Sequence, residues 1–114
     1  MWSYKGEEFK EELIGENIGF VYLITDLLNG KMYVGKKLFS KAGYKQVNGK
    51  RKKVRKASDW ENYFGSNEEL NSRVAEHGGE NFKREILHLC NSKGLCTYLE
   101  LREQIDRRVM ESDN

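Results

Sequence analysis

The chain has 114 residues and no proline, and its 33% charged and 38% hydrophobic content fits one polar globular domain rather than a disordered or membrane-spanning chain. No basic stretch followed by an apolar run opens it, and no apolar run reaches membrane length, so neither a signal peptide nor a span is expected. The net charge of +2 hides an asymmetry: ten Lys and Arg and no acid lie between Lys36 and Lys56, while the remainder is acidic, which predicts an anionic partner for one face only.

Residues 1–18 hold Trp2, Tyr4, Phe9, Leu13 and Ile14 among several glutamates. Phe9 and Leu13 fall four apart, which predicts a short amphipathic helix ended by Gly15, an extension packed on a domain that starts at residue 19.

Gly19 to Lys37 reads as a β-hairpin. Two apolar, β-branched and aromatic runs flank a turn built from Asp26, Asn29 and Gly30. Each arm carries one tyrosine, Tyr22 and Tyr33. A two-residue turn at Asn29-Gly30 would set Lys37 opposite Tyr22. A four-residue turn over Asp26–Asn29 would set Tyr33 opposite Tyr22. Both keep the tyrosines on one face, because side chains alternate with period two. By itself the pair reads as a cross-strand aromatic contact that stabilises the sheet.

Leu38 to Trp60 is basic, polar and without a sustained apolar period, so it reads as a loop. Tyr44 interleaves with the lysines, and Arg51 and Arg55 have the fork geometry that suits phosphates. With Lys36, Lys41, Lys45, Lys50, Lys52, Lys53 and Lys56 they make this segment the candidate nucleic-acid contact. Ser66 with Glu69 fits a capping box, so a helix is expected from about Asn67, with Leu70 and Val74 buried and Gly78-Gly79 ending it. Its N-terminus at Ser66 offers backbone N–H groups and a positive dipole end, a candidate phosphate seat.

Phe82 to Cys90 alternates as a strand, with Phe82, Ile86, His88 and Cys90 on one side and Leu87 and Leu89 on the other. Cys90 and Cys96 are expected as reduced thiols. His88 and the two cysteines make a poor zinc site, since zinc needs four convergent ligands. Leu95 to Met110 reads as a helix. At ~100° per residue, Leu101, Ile105, Tyr98, Val109, Leu95, Leu99 and Met110 form one stripe. Glu103 falls at the rim of that stripe and Glu100 further toward solvent.

Val21-Tyr22 followed by Tyr33-Val34-Gly35 resembles the two-part signature of the GIY-YIG nuclease family. Tyr63-Phe64-Gly65-Ser66 opening a helix, a Gly78-to-Phe82 turn into a strand ending Ile86-Leu87, and Glu103 on the last helix recur in the family's order, so the resemblance spans about residues 19–110. It is strongest to the small phage and homing-type members.

The resemblance implies an α/β fold: a small, mainly antiparallel three-stranded sheet flanked by helices. It implies Mg²⁺- or Mn²⁺-dependent hydrolysis of double-stranded DNA, inside a bacterial host and phage-encoded, with a homodimer if both strands are cut. In that mechanism Glu103 and waters hold the metal, and Tyr22 or Tyr33 orients or deprotonates water. A free tyrosine, with a pKa near 10, needs the metal or a basic neighbour such as Lys37 to act as a base. Tyr63 matches the family's His or Tyr before the middle helix. The family's helical Arg is not evident, so Lys36, Lys37, Arg51 and Arg55 compete to hold the phosphate. The family's late Asn has only Asn114 as a poor match, which leaves three readings: a truncated chain, another group in that role, or an incomplete centre. A DNA-binding module without catalysis, and a domain whose basic segment binds an acidic protein, stay open beside the nuclease reading.

Overall fold

The hairpin organises the structure. The computed structural model describes residues 1–108, with the backbone alone described at 41–43. Strands β3 (Gly19–Asp26) and β4 (Met32–Leu38) are joined by a tight loop. Asp26 Oδ1 accepts from the Leu28 N–H at 2.9 Å, Asn29 Oδ1 accepts from the Lys31 N–H at 2.9 Å, and Gly30 takes φ +76°. The loop closes between Asp26 and Lys31, one residue away from either expected position. Tyr22 pairs with Gly35, Tyr33 with Ile24, and Lys37 with Phe20. The tyrosines therefore share a face but stand diagonally, neither opposite each other nor opposite Lys37.

Among the described residues the sheet has five strands rather than three, in the order β2 (Glu7–Glu8), β1 (Trp2–Tyr4), β7 (Phe82–Cys90), β3, β4. It is mixed: β1 (Trp2–Tyr4) runs parallel to β7, and the other pairs are antiparallel. A bulge opposite Val21/Tyr22 shifts the β7 register, so Ile86 pairs with Tyr22 while His88 pairs with Val21. That inserted residue moves His88 and Cys90 to the face opposite Phe82 and Ile86, which corrects the simple alternation.

The expected N-terminal helix is also corrected. The segment forms β1, a reversal at Lys5-Gly6 with both φ positive, the two-residue β2 (Glu7–Glu8) and a short 3₁₀ turn at Glu11–Leu13. Phe9 is buried and Leu13 exposed, so their spacing is not that of a helix face. Trp2 packs on Phe20 and Tyr22 with ring centroids 5.0 and 5.5 Å away, and its Nε1–H donates to the Trp60 carbonyl at 2.8 Å. The first residues are part of the core.

The basic segment is a hairpin rather than a loop: β5 (Ser40–Val47) and β6 (Lys50–Ala57) turn at Asn48-Gly49, φ 51° and 75°. Positive φ at both central residues is the two-residue turn that matches strand twist. Helix α1 (Glu68–His77) is capped by Asn67, whose side chain accepts from the Leu70 N–H at 3.0 Å, and not by Ser66. Helix α2 (Lys93–Arg107) is capped by Ser92 in the same way. Val109, Met110 and Asn114 lie outside the described residues. No helix among the described residues is long and apolar enough to cross a membrane.

The core divides by sheet face. One face carries Phe20, Tyr22, Ile24 and Tyr33, covered by Trp2, Trp60 and Leu70. The other carries Val21, Leu23 and Val34, covered by Cys96 and Leu99 of α2. Asp26 is fully buried beneath the hairpin turn and pairs with Arg73 of α1. That hydrogen bond holds its carboxyl below the usual carboxylate range despite burial. A folded pKa below the unfolded one stabilises above the ordinary value and is lost as pH falls through the folded one. Asp26→Asn is therefore expected to lower the melting temperature at neutral pH and to blunt its fall in acid, checked by thermal melts down a pH series.

Candidate active site

The two halves of the centre expected from sequence lie on opposite faces of the sheet. Tyr22 and Tyr33 are buried on the first face. Tyr22 lies 6.0 Å from the Tyr63 ring, centroid to centroid, and its hydroxyl has no hydrogen-bond partner among the described residues. Tyr33 lies under the Lys31 ammonium, 5.5 Å from the ring centroid. Lys37 Nζ sits 4.2 Å over the Tyr63 ring and 2.7 Å from Asp59 Oδ1. Lys37 is thus on the tyrosine face, tied to Tyr63 rather than to Tyr22.

The α2 face holds the acids. Glu100 is buried, 5% exposed, and Glu103 is half-buried. This reverses the helix phase expected from sequence. Tyr98, Leu101 and Ile105, expected in the buried stripe, are exposed, at 58, 55 and 66%. Cys96 and Glu100, four apart, face the sheet instead. The Cys90 and Cys96 thiols are free and buried there.

The two carboxylates differ chemically. Glu103 Oε2 lies 2.7 Å from His88 Nε2, and Oε1 accepts from Arg107 Nε at 2.8 Å. Burial pushes its carboxyl up, but the bonds from His88 and Arg107 outweigh it and hold it below the usual range. Glu100 Oε1 lies 3.7 Å from Lys36 Nζ, and Oε2 is buried with no hydrogen-bond partner among the described residues. Burial pushes its carboxyl above the usual range, with Lys36 opposing.

A hard divalent cation at a phosphodiester takes one or two carboxylates, with phosphate and water completing its shell. No cluster of three or more His, Cys, Asp or Glu suited to a metal exists among the described residues, so such a cation would rest on one or two protein groups. Glu103 has both oxygens engaged, one by His88 and one by Arg107. Glu100 has one oxygen without a hydrogen-bond partner among the described residues, so it could take a cation there.

Lys36 and Lys37 point to opposite faces of the edge strand β4, yet both line one pocket of about 390 Å³. Lys93 and Thr97 of α2 complete it, with Ser40 and Ser58 from the root of the basic hairpin. Lys36 Nζ donates to Thr97 Oγ1 at 3.1 Å. Lys36, Lys37 and Lys93 line this hollow with three hydroxyl residues; its wall is mainly apolar, and the Lys36 and Lys37 ammonium groups, now engaged by Thr97 and Asp59, would have to turn inward to meet an anionic oxygen cluster. Arg51 and Arg55 sit out on the hairpin, Arg51 stacked on Tyr44 at 4.1 Å and Arg55 bonded to Ser40 Oγ at 2.9 Å. They do not join the pocket. Ser66 is exposed beside α1 and outside the pocket. The sequence reading did not single out Lys93 and Thr97, and it placed Glu100 toward solvent. Only the spacing of Cys96 and Glu100, one helical turn apart, could have pointed to them.

The chain matches over residues 2–114 the family model described as "Putative endonuclease segE, GIY-YIG domain". Neither curated proteins nor solved structures gave a match. The match begins at residue 2, in accord with a Trp2 built into the core, and runs past α2. This chain belongs to the segE-type GIY-YIG endonuclease domain family.

Proposed function

We propose that the protein is a divalent-cation-dependent endonuclease that hydrolyses phosphodiester bonds in double-stranded DNA, phage-encoded and acting inside a bacterial host. The observation that carries the reading is the lysine-lined pocket at the root of the basic hairpin, with Lys36 joining it to buried Glu100. DNA held by the hairpin would bring a phosphate into this pocket, against Lys36, Lys37 and Lys93. Glu100 would hold Mg²⁺ or Mn²⁺, which when bound neutralises charge on the phosphate and the leaving oxygen. In the resting chain, Lys36 partly offsets the burial of the Glu100 carboxylate.

Tyr22 supports the reading in a second way. A buried hydroxyl without a partner costs about 1–3 kcal/mol, which a purely structural position would avoid by using Phe. We assign Tyr22, which lies across the sheet from Glu100, to positioning the phosphate at the β4 edge once DNA opens the contact between Tyr63 and Lys37, and not to the metal's own water. Tyr22→Phe is expected to leave the melting temperature unchanged or higher and to slow plasmid nicking by roughly 10²–10⁴-fold. Nicking at the parent rate would return the tyrosine to the core.

A DNA-binding module without catalysis is the second reading, favoured by the burial of both tyrosines on the face away from α2. It keeps hairpin-driven binding and predicts no metal-dependent nicking.

A further inference from the structure

The hairpin β5–β6 forms a sheet of its own, pairing with no strand of the main sheet. The molecule extends 53 Å along one axis against 30 and 26 Å along the others. The pairs Tyr44↔Lys53, Lys45↔Lys52, Gln46↔Arg51 and Val47↔Lys50 fix which residues share a face. One face carries Tyr44, Gln46, Arg51, Lys53 and Arg55. The other carries Lys45, Lys50, Lys52 and Lys56 around Val47 and Val54.

The faces differ in chemistry although both are basic. Both arginines lie on the first, and each is held in place: Arg51 on the Tyr44 ring at 4.1 Å, Arg55 by Ser40 at 2.9 Å. Arg and Gln are the side chains that pair bidentately with guanine and adenine edges. The lysines opposite are flexible point charges suited to phosphates. A two-stranded ribbon fits the B-DNA major groove, about 12 Å wide. Alternate residues on one face are spaced about 6.8 Å, close to two base-pair steps of about 3.4 Å.

We infer that β5–β6 lies in the major groove of duplex DNA with the Tyr44, Gln46, Arg51 and Arg55 face toward the bases, so that the enzyme prefers guanine-containing sites. The lysine face neutralises the flanking phosphates. This rests on the nuclease reading only in taking duplex DNA as the substrate.

The test selects a preferred duplex from a random pool with the full chain in Ca²⁺, then measures binding to it and to a scrambled duplex across a salt series. The parent should prefer the selected duplex by roughly 10–100-fold. Arg51→Lys with Arg55→Lys keeps charge but loses the fork, and should erase most of that ratio while leaving the salt slope unchanged. Lys45→Ser with Lys50→Ser and Lys52→Ser should flatten the log–log slope by about 0.9 per lost contact and leave the ratio intact. Both sets lie on exposed strands, and circular dichroism confirms folding. An unchanged ratio in the arginine variant, no preference in the parent, or tighter binding to single strands overturns the inference. If the chain nicks plasmid yet shows no preference, only the ribbon assignment falls. If it neither binds nor nicks duplex DNA, the nuclease reading falls with it.

Discussion

Glu100→Gln is expected to abolish metal-dependent nicking and to raise the melting temperature. The two effects have one cause. Glu100 is buried with an unpartnered oxygen, and burial drives its carboxyl above the usual range. An acid whose folded pKa exceeds its unfolded pKa favours folding below the unfolded value, an advantage lost as pH rises through the folded one. At neutral pH the carboxylate therefore destabilises the fold, and the neutral amide removes that penalty. A relief of about 1 kcal/mol would lift the midpoint by roughly 4 °C. The same change removes the charge a hard cation requires, so nicking should fall by roughly 10²–10³-fold or more. DNA binding in Ca²⁺ should persist. Glu103→Gln should show the opposite pattern. It loosens contacts to His88 and Arg107, lowering stability modestly, and leaves nicking within a few-fold of the parent. If Glu103→Gln is inactive and Glu100→Gln active, the helix-phase correction does not carry over to the chemistry.

Trp2→Ala should be the most destabilising single change in the N-terminal segment. Trp2 is 2% exposed, packs edge-on against Phe20 and tilted against Tyr22, and ties β1 to the Trp60 carbonyl. The Arg84 guanidinium lies 4.9 Å from its ring and donates to the Glu61 and Tyr63 carbonyls. Removing the indole leaves a cavity, a Trp60 carbonyl that keeps only the Tyr63 N–H as donor, and a less shielded buried cation. The expected loss is about 3–5 kcal/mol. Chemical denaturation measures it. A loss below about 1 kcal/mol would mean that residues 1–18 are an appendage, as their sequence first suggests.

The hairpin, β7 and both helices were legible because each carries a local signal. Asp26, Asn29 and Gly30 mark the first turn. Gly78 ends α1, and Phe82–Cys90 is an apolar run of strand length. What escaped depends on partners distant in sequence. Trp2 is in the core because β1 pairs with β7, and nothing in the first ten residues encodes a parallel neighbour more than eighty residues away. The bulge opposite Val21/Tyr22 leaves no trace in the alternation, yet it decides that His88 faces α2 and meets Glu103. The phase of α2 misled because its more apolar stripe, Tyr98, Leu101 and Ile105, is exposed, while the sheet takes Cys96 and Glu100. Apolar periodicity finds the stripe but not which stripe packs. The β5–β6 hairpin hid because both its faces are polar, although Asn48-Gly49 is itself a hairpin-turn signal.

Metal-dependent cleavage is tested most directly by nicking of supercoiled plasmid by the unaltered chain in Mg²⁺, in Ca²⁺ and in chelator, with duplex binding measured under each condition. Conversion to open circles is expected in Mg²⁺ alone, with DNA bound in Ca²⁺. Equal, background-level conversion under all three conditions, with duplex binding retained, would contradict metal-dependent cleavage and leave a DNA-binding module that does no chemistry.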